Sequence, residues 1–186
     1  MLNLMTMAAG TNIIFNHDAD VVLTIEGVKE TVALLRAGHP FVYPYNGSFL
    51  RTPKQYHAII HSLNSIESLC GMKFKGWSDD SKGGSVAFLR DQYMKYGGEN
   101  ENFYSHAPED VERYRRMSLF CEIKRVGFPL FHLDHWCGQD SRHGHEYSAF
   151  NAGEWRRVKE IKNAEGMIDY MRAWRWKAEY LRQLES

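Results

Sequence analysis

The chain has 186 residues, enough for one domain with a substantial core, and it carries 23 basic and 23 acidic side chains. A net charge of zero argues against general binding to nucleic acid or to another polyanion. No apolar stretch is long enough to cross a bilayer, and the N-terminus lacks the basic flank of a signal peptide. Cys70, Cys121 and Cys137 have no metal-binding spacing, which indicates reduced thiols and a cytoplasmic location.

In the first half of the chain, short apolar runs typical of strands alternate with segments whose apolar residues have helical spacing. Residues 2–9 predict a short helix, residues 12–16 a strand, residues 24–38 a helix capped by Thr24, and residues 41–43 a strand. Thr52 followed by Pro53 is typical of a helix start. The buried face of that helix would contain Tyr56, Ile59, Ile60, Leu63 and Ile66, and Gly71 would end it.

The second half continues this alternation. Residues 76–82 predict a polar turn, residues 85–89 a strand, residues 90–96 a helix closed by Gly97 and Gly98, and residues 108–120 another helix. Strands are expected over 122–126 and 130–133, a long loop over 134–153, and amphipathic helix from Trp155 to the C-terminus. The succession of strands and helices predicts the α/β class.

Two carboxylates follow the first predicted strand. Asp18 and Asp20 are separated by one small residue, so in extended chain their side chains would point to the same side. At a strand end they could share one hard divalent cation and leave room for a phosphate ligand. Aspartate is also frequent in ordinary turns, because its side chain bonds to nearby backbone. The pair alone therefore leaves both explanations open.

Histidines form a second group of candidate ligands in the last third of the chain. His132 and His135 flank the end of the strand predicted at 130–133, and His143 and His145 follow in the long loop. Such a cluster suits a three-ligand zinc site in a hydrolase, although no HExxH helix is present. His132 has the alternative of a half-buried strand residue. Substituting His143 and His145 would separate the hydrolase from the transferase function described next.

The order of these motifs resembles the GT-A fold glycosyltransferases, especially the C-terminal part of the galactosyltransferase-like branch. The matching positions are Asp18 and Asp20, the pairs Gly83–Gly84 and Gly97–Gly98, the Glu109–Asp110 pair and the late histidines. The likeness covers roughly residues 1–136. It implies a truncated, Rossmann-like GT-A mixed sheet flanked by helices, with a catalytic core over 1–151 and an amphipathic helical extension over 152–186.

The resemblance also implies a function. The implied enzyme is a metal-dependent, inverting hexosyltransferase. Such an enzyme moves a sugar from a nucleotide sugar, here a UDP-sugar, to a hydroxyl acceptor such as a glycan. Asp20, His135 and His132 would bind Mn²⁺ or Mg²⁺, and Asp18 would bind the metal through water or hold the ribose. Asp110 would act as general base and Glu109 would orient the acceptor. Gly83 and Gly84 would let the backbone approach the sugar or diphosphate.

Ordinary structural explanations stand beside these roles. Acidic residues after a first-turn proline suit any helix N-terminus, so Glu109 and Asp110 have a plain capping explanation. A glycine pair before a strand suits any loop, which is the plain explanation of Gly83 and Gly84.

The sequence departs from the family in two places. The stretch from Tyr104 to Pro108 stands where the family has Gly-Trp-Gly, so the identity of the acceptor does not carry over. Only 17 residues precede Asp18, so we expect the usual nucleotide-binding segment of the family to be missing. We therefore expect a second copy, a separate chain or the C-terminal helix to cover the sheet edge. The enzyme could then be active only with a partner that supplies the nucleotide-binding half. The alternative function is a non-catalytic sugar-binding or assembly module derived from the GT-A fold, which needs a partner for that half. Nucleic acid would be a partner only as the acceptor.

Overall fold

The computed structural model of the chain describes residues 1–58, 66–70, 72, 74, 76–136, 144–174 and 176–177. The chain forms two compact units. The first, called the helical unit, contains Met1–Ile14, Leu89–Glu122 and Cys137–Ser186. The second, called the sheet unit, contains Phe15–Phe88 and Ile123–Trp136. The chain passes between them several times, so each unit is built from segments distant in sequence.

The described residues contain eight strands: β1 (Ile13–His17), β2 (Val21–Leu23), β3 (Phe41–Tyr43), β4 (Phe49–Thr52), β5 (Gly76–Ser78), β6 (Ser85–Leu89), β7 (Lys124–Arg125) and β8 (Leu130–Leu133). They form two four-stranded sheets, with the orders β1-β6-β3-β7 and β2-β8-β4-β5. In the first sheet β3 is antiparallel to β6 and parallel to β7, and in the second β8 is antiparallel to β2 and parallel to β4. Both sheets are therefore mixed.

Helices accompany both units, and the α/β class expected from the sequence is confirmed. A mixed α/β arrangement is compatible with a Rossmann-like fold. Among the described residues, no helix combines the length and apolar character needed to span a membrane. The helices are α1 (Leu2–Ala8), α2 (Ile25–Arg36), a 3-10 turn (Lys54–Tyr56), α3 (Ile66–Leu69), α4 (Arg90–Lys95), α5 (Glu109–Met117), α6 (Ser148–Glu160) and α7 (Ala164–Arg172).

Local signals account for helix α2. The Thr24 hydroxyl accepts a hydrogen bond from the Gly27 N–H at 3.0 Å, which satisfies a donor that the helix itself cannot pair. The helix ends before Gly38, whose φ of +96° lies in the left-handed region that favours glycine. Its predicted start and end are both confirmed.

The sheet unit has an apolar core. Phe41, Val42 and Tyr43 of β3 are fully buried, and the Phe41 ring stacks on Phe88 of the neighbouring β6. Aromatic and β-branched side chains suit a strand that is covered on both faces. This core supports the turns at the strand ends, where the candidate ligands lie.

Several sequence-based expectations were wrong. Strands β2, β4 and β5 were not predicted, and β5 lies inside the segment expected to be a polar turn. Helix α6 begins at Ser148, inside the segment expected to be a loop, and the C-terminal helix is interrupted between α6 and α7. After Thr52 the described chain contains the 3-10 turn and α3. Ile59, Ile60, Leu63 and Gly71 lie outside the described residues.

Candidate metal centre

The two aspartates lie in the turn that connects β1 to β2. The Val21 N–H donates to the Asp18 carbonyl at 3.2 Å, which closes the turn. Two further backbone hydrogen bonds anchor it: the Asp18 N–H donates to the Gly84 carbonyl at 2.9 Å, and the Leu133 N–H donates to the Asp20 carbonyl at 2.8 Å. The turn is therefore attached to the starts of β6 and β2 and to the end of β8.

Strand pairing brings two histidines to this turn. In the antiparallel pair of β2 and β8, Val21 lies opposite His132, so Asp20 is adjacent to the end of β8. The Asp20 Oδ2 lies 2.6 Å from His135 Nε2 and 3.4 Å from His132 Nε2. One ligand atom from each of the three side chains falls within 4.8 Å of the others. Among the residues that the structure describes, this is the group of histidine and acidic side chains able to hold one ion, and Asp18 is not part of it.

Each ring nitrogen of His135 faces a hydrogen-bond acceptor. Its Nδ1 lies 2.8 Å from the Trp136 carbonyl oxygen, which can only accept, so Nδ1 carries a proton. Its Nε2 faces the Asp20 carboxylate, which is also an acceptor. The ring must therefore be doubly protonated, or Nε2 and the Asp20 carboxylate must share a bound cation. The hydrogen bond to the Trp136 carbonyl raises the pKa of His135 above its ordinary value, and the hydrogen bond to Asp20 adds a smaller effect in the same direction. A histidine whose other N–H donates to a backbone carbonyl is the usual arrangement in metal sites.

His132 offers a second nitrogen ligand. Its side chain is mostly buried beside the Phe49 ring, with the ring centroids 5.2 Å apart. Burial lowers the pKa of His132, although the nearby Asp20 opposes this shift. A neutral imidazole is the form that binds a metal. The structure thus combines two imidazoles and one carboxylate, a donor set suited to a divalent transition metal.

The glycine pair before β6 contacts the turn of residues 18–20, called the aspartate turn, through the hydrogen bond between Asp18 and Gly84. The Tyr45 hydroxyl donates to the Gly83 carbonyl at 2.7 Å. Gly84 has a φ of +83°, and a Cβ built there would lie 3.0–3.3 Å from side-chain atoms of Phe49, Leu130 and Val21. Gly84 is therefore required for packing and backbone geometry next to Asp18. The predicted role of the pair near a sugar or diphosphate stays a prediction.

Glu109 and Asp110 lie in the helical unit, where they open α5. Asp110 forms an ion pair with Arg113, which also pairs with Glu99 at 2.8 Å. Burial, reinforced by the Asp110 charge, raises the pKa of Glu109 to about 7. Burial also raises the pKa of Asp110, while Arg113 opposes the shift. A carboxylate with a raised pKa is a stronger base than an exposed one.

A cavity of about 340 Å³ borders Glu109, whereas Asp110 is not among the residues that line it. Glu109 lines it together with Glu99, Phe103 and Ser105. Ser105 has a φ of +55°, which is uncommon for a residue other than glycine. Ser105, which belongs to the segment that departs from the family pattern, thus lines the same cavity as Glu109.

Within the described part of the chain, His145 is not a member of the candidate metal group. His145 belongs to the helical unit, where its Nε2 lies 2.6 Å from the His106 carbonyl and its Nδ1 accepts from the Tyr147 N–H at 3.2 Å. Both of its nitrogens are therefore bonded to backbone. His143 lies outside the described residues. The division of the chain at residues 151 and 152 stays a prediction.

His17, which precedes the two aspartates, received no role from the sequence. His17 ends β1, and both of its ring nitrogens have partners, Val21 and Ser85. Its position next to Asp18 was the available signal, but a lone histidine beside two carboxylates does not reveal which groups it contacts.

Comparison with models of known protein families, and with characterised proteins, finds no match for this chain. The fold and the site by themselves define a mixed α/β protein with a candidate site for a divalent metal at the end of one sheet.

Proposed function

We propose that the chain is a metal-dependent, inverting glycosyltransferase of the GT-A type, which moves a sugar from a UDP-sugar to a hydroxyl acceptor such as a glycan. One observation carries the proposal: Asp20 and His135, which are 115 positions apart, have side-chain atoms 2.6 Å apart. These are the positions that the resemblance assigns to the metal. Chance similarity of short motifs would not require them to meet in space.

Asp20, His135 and His132 would hold the metal. When bound, Mn²⁺ or Mg²⁺ would neutralise the charge that develops on the departing diphosphate. Two imidazole nitrogens beside one carboxylate favour Mn²⁺ over Mg²⁺, which prefers oxygen ligands. The Nδ1–H of His135, bonded to the Trp136 carbonyl, leaves Nε2 as the nitrogen directed toward Asp20.

Asp110 would accept the proton of the acceptor hydroxyl. In the proposed reaction the hydroxyl oxygen bonds to the anomeric carbon, its proton moves to the Asp110 carboxylate, and the bond from that carbon to the diphosphate breaks. Arg113 holds Asp110 in place through the ion pair. Glu109, with its pKa raised to about 7 by burial, would orient the acceptor through a hydrogen bond.

Calorimetric titration of UDP, with and without Mn²⁺, tests the metal role by itself. We expect Mn²⁺-dependent binding of UDP, and we expect Asp20→Ala and His135→Ala to weaken it by about tenfold or more. His145→Ala is the matched control, because its nitrogens bond to backbone outside the candidate group. A loss of metal binding in His145→Ala would favour the zinc hydrolase instead. Binding of Mn²⁺ without UDP would favour the non-catalytic sugar-binding or assembly module.

A further inference from the structure

Both ring nitrogens of His17 have hydrogen-bond partners next to the aspartate turn. Its Nε2 lies 3.1 Å from the Val21 carbonyl oxygen and its Nδ1 lies 3.0 Å from the Ser85 hydroxyl. Because the carbonyl can only accept, Nε2 carries the proton and donates to Val21. Nδ1 then accepts from the Ser85 hydroxyl, whose residue is buried. The two partners hold the ring in one tautomer and one orientation.

The His17 ring adds side-chain contacts to the three backbone hydrogen bonds of this turn. Strand β1 belongs to one sheet and β2 to the other, so the two strands do not pair with each other across the turn. In a hairpin, ladder hydrogen bonds would fix the ends of the turn. Here the His17 side chain reaches from the residue before Asp18 to the carbonyl of the residue after Asp20. The ring therefore spans the three residues that contain the candidate ligand.

We infer that His17 is a positioning residue for the metal centre, because its ring joins both ends of the 18–20 turn and so fixes where the Asp20 carboxylate meets His135. The inference rests on the proposed metal site. His17 is not itself a ligand in this assignment, since Val21 and Ser85 occupy both of its nitrogens. Outer partners of this kind set metal affinity by orienting the ligands that contact the ion.

Three substitutions separate the two contacts of the ring. His17→Gln places its amide nitrogen near the Nε2 position and keeps a donor for the Val21 carbonyl. His17→Asn is shorter, so it can reach the Ser85 side but not Val21. His17→Ala removes both contacts. The control is His39→Ala, which changes a histidine of the same unit beyond the C-terminal end of α2.

Two measurements on the full chain then test the inference. The first is the Kd for Mn²⁺ alone by calorimetry, which should rise about tenfold in His17→Ala and His17→Asn and stay within about twofold in His17→Gln and His39→Ala. The second is amide hydrogen exchange in metal-free protein. The Asp18 and Val21 amides should exchange faster in His17→Ala and His17→Asn, because the turn opens more often.

The possible results have separate meanings. Wild-type affinity in His17→Ala, or an affinity in His17→Gln as weak as that of His17→Ala, overturns the inference. Unchanged exchange of the turn amides in His17→Ala also overturns it, because the ring would then not hold the turn. A wild-type chain that binds no Mn²⁺ contradicts the proposed function, and the exchange rates still decide whether His17 holds the turn.

Discussion

At the scale of single residues, Glu109 combines a buried oxygen with a raised pKa. Within the described part of the chain, its Oε2 is buried without a hydrogen-bond partner. Burial therefore disfavours its charged form and raises its pKa from 4.5 to about 7, with the Asp110 charge adding to the shift. A neutral carboxyl near pH 7 can donate a hydrogen bond to the oxygen of an acceptor hydroxyl.

Glu109 should make stability depend on pH. Between pH 4.5 and about 7 the folded chain keeps a proton that the unfolded chain has lost, so the free energy of unfolding falls as pH rises through this window. Glu109→Gln should remove about 1–3 kcal/mol of that fall, after allowance for partial exposure. Urea unfolding at pH 5 and pH 8 measures it, with the exposed Glu165→Gln as control. An unchanged fall in Glu109→Gln would contradict the assignment.

Asp110 supports a kinetic prediction. If it is the general base, Asp110→Asn should lower kcat by about 10²–10⁴-fold. The Kd of UDP with Mn²⁺ should stay unchanged, because Asp110 is not one of the three candidate metal ligands. UDP release from a panel of UDP-hexoses measures kcat, and calorimetry measures the Kd of UDP. Asp169→Asn, an exposed acid of α7, is the control. Full turnover by Asp110→Asn would remove it from the catalytic role.

Gly84 shows how packing restricts a residue near the site. Gly84→Ala should lower the free energy of unfolding by about 2–4 kcal/mol, since it adds a strained φ and a Cβ against Phe49, Leu130 and Val21. Gly127→Ala is the matched control, because a Cβ added to Gly127 would meet no other atom within 4 Å. That variant should stay within about 0.5 kcal/mol of the wild type in chemical unfolding. Equal effects of the two variants would contradict the packing explanation.

At the scale of elements, α2 depends on its cap. Thr24→Ala should destabilise the chain by about 1–2 kcal/mol, because the Gly27 N–H loses its acceptor in a buried position. Thr24→Ser keeps the hydroxyl and should recover most of the loss. Thermal unfolding of the three chains compares them. A Thr24→Ser variant as unstable as Thr24→Ala would show that the methyl group, rather than the cap, is responsible.

Elements also differ in how far their local sequence predicted them. Helix α2 was predicted within a few residues, because Thr24 and Gly38 act through neighbouring backbone. Strand β8 was predicted at its observed bounds. The short strands β2 and β5 have three residues each, and pairing with β8 and β4 defines them. Such pairing depends on partners distant in sequence, so no local pattern reveals it.

At the scale of the whole molecule, the two units have interiors of different character. Among the described residues, the buried charged side chains all lie in the helical unit: Glu112, Arg113, Arg116 and Glu154. Arg116 pairs with Glu112 at 2.9 Å and donates to the carbonyls of Tyr96 and Gly98. This side chain therefore ties α5 to the chain that follows α4.

Removing one partner of this pair should destabilise the molecule strongly. Arg116→Met should cost about 3–5 kcal/mol, because it leaves the Glu112 carboxylate buried without its cation. The double variant Glu112→Leu with Arg116→Met should recover part of this cost, but the two carbonyls still lose their donor. Arg172→Met is the control, since its ion pair with Asp169 is exposed and should contribute at most about 0.5 kcal/mol. Urea unfolding measures the free energy of unfolding of the wild type, of both variants and of the control.

The sequence by itself determined the α/β class, the helix ends marked by Thr24, Gly38 and Gly97, and the residue types able to bind a metal. These follow from backbone preferences and side-chain chemistry, which act locally. Only the tertiary structure decided that Asp20 meets His132 and His135 and that Asp18 stays outside the group. It also decided that burial raises the pKa of Glu109. Contact and burial depend on strand pairing between distant segments, and a linear pattern does not contain that information.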